Sequence, residues 1–345
     1  MTSFWKKCLM GVAAAMLLMG AAARADITVT GAGATFPYPM YSKWFDSYHK
    51  AHPDIQINYQ SIGSGGGIRQ ITEGTVDFGA SDGPMSDEQI KAFADKQGCN
   101  ILHFPTVLGA DVPTYNVPGV NGEIKFTPDA LAGIFLGKIK KWNNPAIQGA
   151  NPDLKLPDLD IIVAHRSDGS GTTYIWVDYL SKISPQWKEK VGVGTSVKWP
   201  VGLGGKGNEG VTQIVKATPG AIGYVELIYA VQNKVAYGPV QNSSGKFVKA
   251  SLDSVTAAAA AAAKKMPADF RVSITNPVSA DAYPVASFTW LLVPDKIKDD
   301  AKRKVIVDYL HWMLTDGQSM TRALEYAPLP DEVVKMELKA IEKIK

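Results

Sequence analysis

The stretch HRSDGSGTTYIW, residues 165–176, contains side chains that could perform two different kinds of chemistry. Ser170 could attack a bond with His165 and Asp168 as helpers, or the hydroxyl groups and glycines could bind an anion. The stretch contains neither G-x-S-x-G nor the order Gly-Asp-Ser-Gly. His165 and Arg166 are neighbours on an apolar, strand-like run, so they point to opposite faces, and Ser170 lacks its base if Arg166 faces the ligand. The pattern therefore favours anion binding, and we expect no catalytic residue.

Three loops in the chain share one design, in which a strand-like run leads into Ser, Thr or Gly and then into a helix-like run. They are GATF (33–36), SGGG (64–67) and SGT (170–172). A helix N-terminus presents unpaired N–H groups and a partial positive charge, and glycine lets the backbone approach an anion closely. Ser and Thr are also ordinary helix caps, so a single loop of this kind is weak support for an anion site. Three of them in one chain favour anion binding.

Two charged positions accompany these loops. Arg166 ends the apolar run IIVAH, and its guanidinium matches a tetrahedral oxyanion through paired hydrogen bonds, while Asp168 could hold that guanidinium in place. Asp82 closes the run VDFGASD, and a carboxylate accepts hydrogen bonds without donating any. It can therefore bind the O–H of hydrogen phosphate, whereas sulfate has no proton near neutral pH. A cap for the following turn is the alternative role of Asp82, and a purely structural ion pair is the alternative for Arg166 and Asp168.

The glycine-rich stretch GLGGKGNEG, residues 202–210, has the composition of a nucleotide-binding loop but not its order. It contains Lys206 and several glycines, yet it does not match G-x-x-x-x-G-K-[ST]. We interpret it as a loop before a helix capped by Asn208, lying at the mouth of the ligand cleft.

The elements that must position these residues alternate between strand, loop and helix, which is typical of an α/β protein with mostly parallel strands. A first unit contains the strand-like runs ITVT, IQINYQSI, VDFGASD and ILHFPTVLG. A second unit begins near Val107 and contains the strand-like runs IIVAHR and AIGYVE. The tract AAAAAAA (257–263) predicts a helix, with a linker as the alternative, and SFTWLLV predicts a strand before two amphipathic helices. We expect two lobes, 26–107 plus 287–345 and 108–286, with the ligand in the cleft between them.

The first 25 residues have the pattern of a secretory signal peptide. Two lysines precede an apolar run at 9–19, and the triplet ARA (23–25) is a typical cleavage site. The apolar run is shorter than the ~20 residues that span a bilayer, so a membrane anchor is the less favoured alternative. We expect cleavage after Ala25.

Removing this segment changes the charge of the protein. Lys6, Lys7 and Arg24 leave with it, so the 36 basic residues fall to 33, equal to the 33 acidic residues. A neutral chain does not offer the broad basic surface that nucleic acid requires, and any anion site must be local. Cys99 is the only cysteine left, so we expect neither an intramolecular disulfide nor a cysteine-based zinc site, and no cofactor. We expect Cys99 to be a buried apolar residue.

Long stretches of the mature chain resemble the periplasmic phosphate-binding protein of the phosphate-specific ABC transporter, the PstS family. The resemblance is carried by TGAGATFPYPMYSKW, YQSIGSGGGIRQI, TVDFGASD, LGKIKKWN, RSDGSGTTYIW, VKWPVGLGGKGNEGV and PGAIGYVE, and it is looser in the C-terminal third. It implies a type II periplasmic binding protein with two hinged α/β lobes, each a mixed, mostly parallel sheet flanked by helices. Such lobes would close over hydrogen phosphate or dihydrogen phosphate and present it to a membrane permease. We therefore expect a periplasmic monomer that is not an enzyme.

The resemblance also implies which residues contact phosphate. They are Thr35, Phe36 (through its N–H), Ser64, Asp82, Arg166, Ser170, Gly171 (through its N–H) and Thr172, with Asp168 orienting Arg166. The family often has two serines where this chain has Ser64-Gly65. Two other functions stay open from the residues alone: a receptor for a related oxyanion such as sulfate, arsenate or a phosphonate, and a secreted phosphatase of similar fold.

Overall fold

The computed structural model describes residues 26–263 and 265–345, and the predicted signal peptide lies outside the described residues. The strands are β1 (Ile27–Gly33), β2 (Ile55–Ser61), β3 (Phe78–Ser81), β4 (Ile101–Tyr115), β5 (Ile162–Arg166), β6 (Leu203–Gly205), β7 (Ala221–Glu226), β8 (Ala236–Tyr237), β9 (Val240–Gln241), β10 (Phe247–Val248) and β11 (Ala286–Pro294). The α-helices are α1 (Tyr38–Ala51), α2 (Ser64–Glu73), α3 (Asp87–Gln97), α4 (Pro128–Phe135), α5 (Pro145–Gln148), α6 (Gly171–Ile183), α7 (Pro185–Lys190), α8 (Gly207–Ala217), α9 (Leu227–Asn233), α10 (Leu252–Ala263), α11 (Asp300–Leu314) and α12 (Asp331–Ile341). A 3-10 helix, Gly317–Leu324, lies between the last two.

Most of the strands lie side by side in the order β2-β1-β3-β11-β4-β7-β5-β6, with β8 beside β4. In one half, β1 pairs with β2 and β3 in parallel, and in the other half β5 pairs with β6 and β7 in parallel. The central pairs are antiparallel, since β11 runs against β3 and β4, and β4 runs against β7. The predicted mixed α/β sheet is therefore confirmed, with the parallel strands in its outer parts, where they carry the loops of interest.

Strand β4 connects the two halves of the sheet. Its first part, from Ile101 to Ala110, pairs with β11, and its second part, from Asp111 to Tyr115, pairs with β7. All of its residues except Leu102 are buried. Because one buried strand belongs to both halves, the chain makes its first crossing between them inside the sheet, and not through a surface loop.

Helix α1 shows how apolar side chains fix the helices on the sheet. Its buried residues are Met40, Tyr41, Trp44, Phe45 and Tyr48, a spacing that gives a single apolar stripe. The ring of Tyr41 packs edge-on against the ring of Tyr59 on β2, with centroids 5.5 Å apart. Burial of an apolar side chain of this size stabilises the fold by about 1.5–3 kcal/mol. The packing of α1 on the sheet therefore holds the loop between β1 and α1 in place.

The C-terminal elements follow the sequence patterns. The alanine tract is part of α10, SFTWLLV lies within β11, and the two amphipathic stretches form α11 and α12. The expectation for Cys99 was wrong, because it is only partly buried. It follows the left-handed Gly98 that ends α3, and this turn lies at the edge of the core. No helix in the described part of the chain is long and apolar enough to cross a membrane.

Candidate functional site

The sequence-predicted site residues meet at the carboxyl ends of parallel strands from both halves of the sheet. Thr35 and Phe36 follow β1, Asp82 follows β3, and Arg166 ends β5. Strands β1 and β3 are direct neighbours, with Gly33 opposite Ala80, so the loops that follow them lie side by side. Crevices beyond the carboxyl ends of such strands are where α/β proteins bind ligands.

Arg166 and Asp168 form a buried, charged pair at one wall of this site. The Nε group of Arg166 donates to Asp168 Oδ1 at 2.8 Å, and Nη2 donates to Oδ2. The Arg166 side chain is 1% exposed. Burial opposes its charge, but the hydrogen bonds to Asp168 raise the pKa of Arg166 above its usual range. Burial also works against ionised Asp168, yet the bonds from Arg166 hold the pKa of that carboxyl below its usual range. Both groups therefore stay ionised.

The remaining guanidinium nitrogen of Arg166 faces the helix that follows. Its Nη1 donates to Thr172 Oγ1 at 3.2 Å. Asp168 is fixed in turn by the backbone N–H of Gly207, which donates to Oδ1 at 3.0 Å. The predicted orienting role of Asp168 is therefore geometrically possible, because the carboxylate holds two of the three guanidinium nitrogens.

Asp82 is buried, 1% exposed, on the opposite side of the site. Its Oδ1 accepts a hydrogen bond from Thr289 Oγ1 at 2.8 Å, and Oδ2 accepts one from Ser64 Oγ at 3.4 Å. Burial raises the pKa of Asp82 to about 7, against the lowering effects of Thr289, Arg166 and Ser64. Its alternative role as a cap is not seen, since Ser86 caps α3 with a complete capping box. The carboxyl group of Asp82 is thus poised between its two protonation states near neutral pH.

The loop at the start of α6 both caps that helix and faces the first half of the molecule. Ser170 Oγ accepts a hydrogen bond from the backbone N–H of Thr173 at 2.9 Å, as an N-cap does. Capping uses a lone pair of the hydroxyl oxygen, so its hydrogen can still be donated to an anion. Ser170 can therefore cap the helix and donate a hydrogen bond to an anion at the same time.

Glycine lets the two halves approach each other closely at this point. A Cβ atom on Gly171 would overlap Ser64 Oγ and lie 2.5 Å from Asp82 Oδ2. The backbone N–H of Gly65 donates to the carbonyl of Gly169 at 2.9 Å, and a Cβ on Gly65 would lie 3.1 Å from Gly169 Cα. Glycine at position 65 therefore sits directly at the contact between the halves.

The loop with Thr35 and Phe36 is fixed by tyrosines from distant parts of the chain. The hydroxyl of Tyr229 donates to the Thr35 carbonyl at 2.6 Å, and the hydroxyl of Tyr326 donates to the Phe36 carbonyl, also at 2.6 Å. Both loop residues are buried. Two anchored carbonyl groups fix the peptide planes of the loop, including the N–H group of Phe36.

Two functional candidates were missed by the sequence analysis. Thr289 lies in the mostly apolar run SFTWLLV and contacts Asp82, and a hydroxyl residue inside a buried strand is the signal that could have found it. Asn208 was expected to cap α8, which is wrong, because Lys206 precedes that helix and gives no side-chain cap. Asn208 is instead buried, and its amide bonds to Thr35 and Thr172.

The histidine of the opening stretch has other partners. The ring of His165 stacks on the ring of Trp199, with centroids 4.8 Å apart, and Nδ1 lies 3.0 Å from the Arg166 carbonyl. A cavity of about 340 Å³ opens beside Arg166 and Asp168, and it is lined by both residues together with Thr195 and Trp199. A larger cavity of about 620 Å³ lies among apolar side chains such as Ile134 and Val201, away from these charged groups.

Comparisons with known proteins agree with this architecture. A family model described as the PBP superfamily domain matches residues 20–316. A phosphate-binding protein PstS of Xylella fastidiosa is 47% identical over 311 residues, which cover 90% of this chain and 84% of that protein.

Two solved structures resemble the fold. One is a high-affinity periplasmic phosphate-binding protein solved with bound phosphate at pH 8.5, with a TM-score of 0.73, 21% identity, and coverage of 90% of this chain and 93% of that one. The other is a putative phosphate ABC transporter substrate-binding protein of Clostridium perfringens with bound phosphate, with a TM-score of 0.63, 18% identity, and coverage of 88% of this chain and 100% of that one. The predicted type II, two-lobed architecture is consistent with both.

Proposed function

The chain belongs to the PstS family of phosphate-binding proteins, and from this membership we propose that it is the substrate-binding component of an ABC importer for inorganic phosphate. It binds hydrogen phosphate or dihydrogen phosphate between its lobes and delivers the anion to an integral-membrane permease. Cleavage after Ala25 releases it into the periplasm, where it acts as a monomer. Phosphate is named in the relative at 47% identity and is bound in two structural neighbours, which supports the same ligand here.

The observation that carries the proposal is the buried carboxyl group of Asp82 in a site otherwise made of donors. A carboxylate there repels an anion that has no proton, such as sulfate near neutral pH. It accepts a hydrogen bond from either protonated form of phosphate, which offsets the cost of burying the charge. Sites built on such pairing reject the wrong ligand by factors on the order of 10⁴–10⁵ in well-studied enzymes. Asp82 therefore acts as the detector of the phosphate proton.

The donors surround the other phosphate oxygens. Arg166, held by Asp168, supplies the positive charge and a pair of N–H hydrogens, the ones on Nη1 and Nη2 that do not bond to Thr172 and Asp168. Hydroxyl groups and N–H groups at loop and helix ends complete the set, and they come from Thr35, Phe36, Ser64, Ser170, Gly171 and Thr172. Donors fixed by the fold need little reorganisation when the ion loses its water.

Binding and closure are coupled because these groups come from both lobes, 26–107 plus 287–345 and 108–286. Thr35, Ser64 and Asp82 belong to the first lobe, and the Arg166 loop belongs to the second. Phosphate contacts both only when the cleft is closed, so it stabilises the closed form by its difference in affinity for the two forms. The permease then recognises the closed surface.

The protein is not an enzyme in this proposal. Ser170 Oγ accepts from the Thr173 N–H, and His165 stacks on Trp199, so the hydroxyl is used as a cap and a donor instead of a nucleophile. Phosphate leaves unchanged when the lobes open.

Equilibrium dialysis of ligand-stripped protein against radiolabelled phosphate tests the proposal. The wild type is expected to retain phosphate, and Ser170→Ala to lose about tenfold or more in affinity, the value of one hydrogen bond to a charged group. Ser167→Ala is the matched control, because Ser167 lies in the same loop but is exposed. Folded, stripped wild type that retains no phosphate contradicts the proposal. Release of phosphate from a chromogenic ester, abolished by Ser170→Ala, would support the phosphatase instead.

A further inference from the structure

Asn208 connects hydroxyl groups that lie on opposite sides of the cleft. It lies in the first turn of α8 and is fully buried. Its Nδ2 donates to Thr35 Oγ1 at 2.8 Å and to Thr172 Oγ1 at 3.1 Å. Thr35 belongs to the loop after β1, whereas Thr172 and Asn208 belong to the other half of the molecule. The amide therefore bridges the two halves where the cleft closes.

The orientation of this amide is fixed by a backbone group. The N–H of Glu226 lies 3.0 Å from Asn208 Oδ1. A backbone N–H can only donate, so the atom that faces it must be the amide oxygen, and the NH₂ group must face the threonines. The NH₂ group has two hydrogens, one for each hydroxyl oxygen.

Counting hydrogens shows what this arrangement does to Thr172. A hydroxyl oxygen has two lone pairs and one hydrogen. Thr172 Oγ1 accepts from Asn208 Nδ2 and also from Arg166 Nη1, at 3.1 and 3.2 Å. With both lone pairs occupied, the hydroxyl can only donate. Thr35 Oγ1 accepts from Nδ2 at 2.8 Å and, at the longer distance of 3.4 Å, from the Asn208 backbone N–H. The hydroxyl of Thr35 can therefore also only donate its hydrogen.

We propose that Asn208 is a positioning residue for anion binding, which sets the hydroxyl groups of Thr35 and Thr172 as hydrogen-bond donors and joins them across the closed cleft. The inference rests on the proposed function, because the donors need an anion to receive their hydrogens. An NH₂ group suits this role, since it gives hydrogens to both oxygens and takes none. A carboxylate in its place would accept both hydroxyl hydrogens and turn them away from the ligand.

The alternative is that Asn208 only fills space at the start of α8. The two roles differ in how Asn208 depends on the threonines. If Asn208 only fills space, its removal lowers the phosphate affinity by the same factor whether or not the two hydroxyl groups are present. A positioning residue has an effect only while there are hydroxyl groups to position, so the energies of the variants are not additive.

The test is a double-mutant cycle on phosphate affinity, measured by calorimetry on stripped protein. Asn208→Ala is expected to weaken binding about tenfold or more, because the charge-assisted bonds of both hydroxyl groups lose their orientation. In the Thr35→Val/Thr172→Val background, the same change is expected to cost less than about twofold. Restoring one of the two hydroxyl groups, with Thr172→Ser in place of Thr172→Val, is expected to restore part of the affinity loss that Asn208→Ala causes. An equal loss in all backgrounds overturns the inference.

Asn208→Asp keeps the size and the bond from the Glu226 N–H, so it serves if the alanine variant does not fold. It is expected to weaken phosphate binding more than about tenfold, with the loss again reduced when both threonines are valines. An unchanged affinity in Asn208→Asp also overturns the inference. Wild type that binds phosphate while the cycle shows no coupling refutes only this inference, whereas wild type that binds no phosphate refutes the proposed function.

Discussion

Asp82→Asn is expected to stabilise the phosphate-free protein at pH 8 while it damages phosphate recognition. The pKa of Asp82 is raised from 3.8 to about 7, with burial as the largest cause. A group with a raised pKa in the folded state contributes stability that is fully present below its unfolded pKa and is lost as the pH rises through the folded pKa. The loss therefore develops between about pH 4 and pH 7 and is complete at pH 8.

The size of the effect follows from the pKa shift. A shift from 3.8 to about 7 is about three units, and each unit corresponds to ~1.36 kcal/mol, so ionised Asp82 costs the empty protein about 4 kcal/mol. The amide introduced by Asp82→Asn is neutral at every pH and can keep the bond from Thr289 through its oxygen. We therefore expect the free energy of unfolding of the variant to exceed that of the wild type by about 2–4 kcal/mol at pH 8, and by close to zero at pH 4.

Urea denaturation of stripped protein, followed by tryptophan fluorescence at pH 4, 6 and 8, measures this difference. Residual phosphate must be removed, because a bound ligand stabilises the wild type by mass action. Asp168→Asn is the matched control, because its effect on the free energy of unfolding at pH 8 should have the opposite sign. Burial opposes the charge of Asp168, but the bonds from Arg166 lower its pKa. Its stabilising contribution is present above the unfolded pKa and is lost as the pH falls, so this variant is less stable at pH 8.

Equal stability of wild type and Asp82→Asn at all three pH values would refute the reasoning. It would mean that Asp82 is not held as an uncompensated buried carboxyl group in the empty protein. The stability gain and the loss of function should occur together in this variant. A site that binds a protonated anion carries a carboxylate whose burial is not fully compensated until the ligand arrives.

Three further variants test the site and strand β4. Arg166→Lys keeps the charge but loses the fork held by Asp168, and calorimetry should show phosphate binding weakened about tenfold or more, whereas unchanged affinity would count against paired N–H donation. Gly171→Ala places a Cβ against Ser64 Oγ and Asp82 Oδ2, so we expect phosphate affinity to fall by the ~1–3 kcal/mol of an overpacked contact; full affinity would show that this contact is not part of the closed, bound form. Asp111 has no hydrogen-bond partner for either carboxyl oxygen among the described residues, and burial, together with nearby acids, raises its pKa well above the usual range. In urea denaturation, the free energy of unfolding of Asp111→Asn should therefore exceed that of the wild type by more at pH 8 than at pH 4. A larger excess at pH 4 would contradict this.

The local parts of this site could be predicted from the sequence because their signals lie within a few residues of one another. Arg166 and Asp168 are two residues apart, and the loops before helices are marked by Ser, Thr and Gly at strand ends. Thr289 lies 207 residues from Asp82, and no local pattern reports such a pairing. Asn208 was interpreted as a cap because asparagine caps helices well, and only the fold brings Thr35 within reach of its amide.

The same limit applies to the sheet. Alternating strands and helices predicted the parallel parts, where each crossover is local in sequence. The antiparallel centre depends on β11, which joins β3 and β4 after about half of the chain has intervened. Partial exposure of Cys99 depends on where α3 ends, and a sequence pattern places a helix end only to within one or two residues.

Calorimetric titration of stripped, mature wild-type protein with phosphate and with sulfate at pH 8 tests the central claim most directly. Asp82 is ionised at this pH, since its pKa is about 7. The proton-detecting site predicts saturable phosphate binding and no heat of binding from sulfate. Sulfate binding as tight as phosphate binding would contradict the role of Asp82, and folded protein that binds neither anion would contradict the phosphate receptor itself.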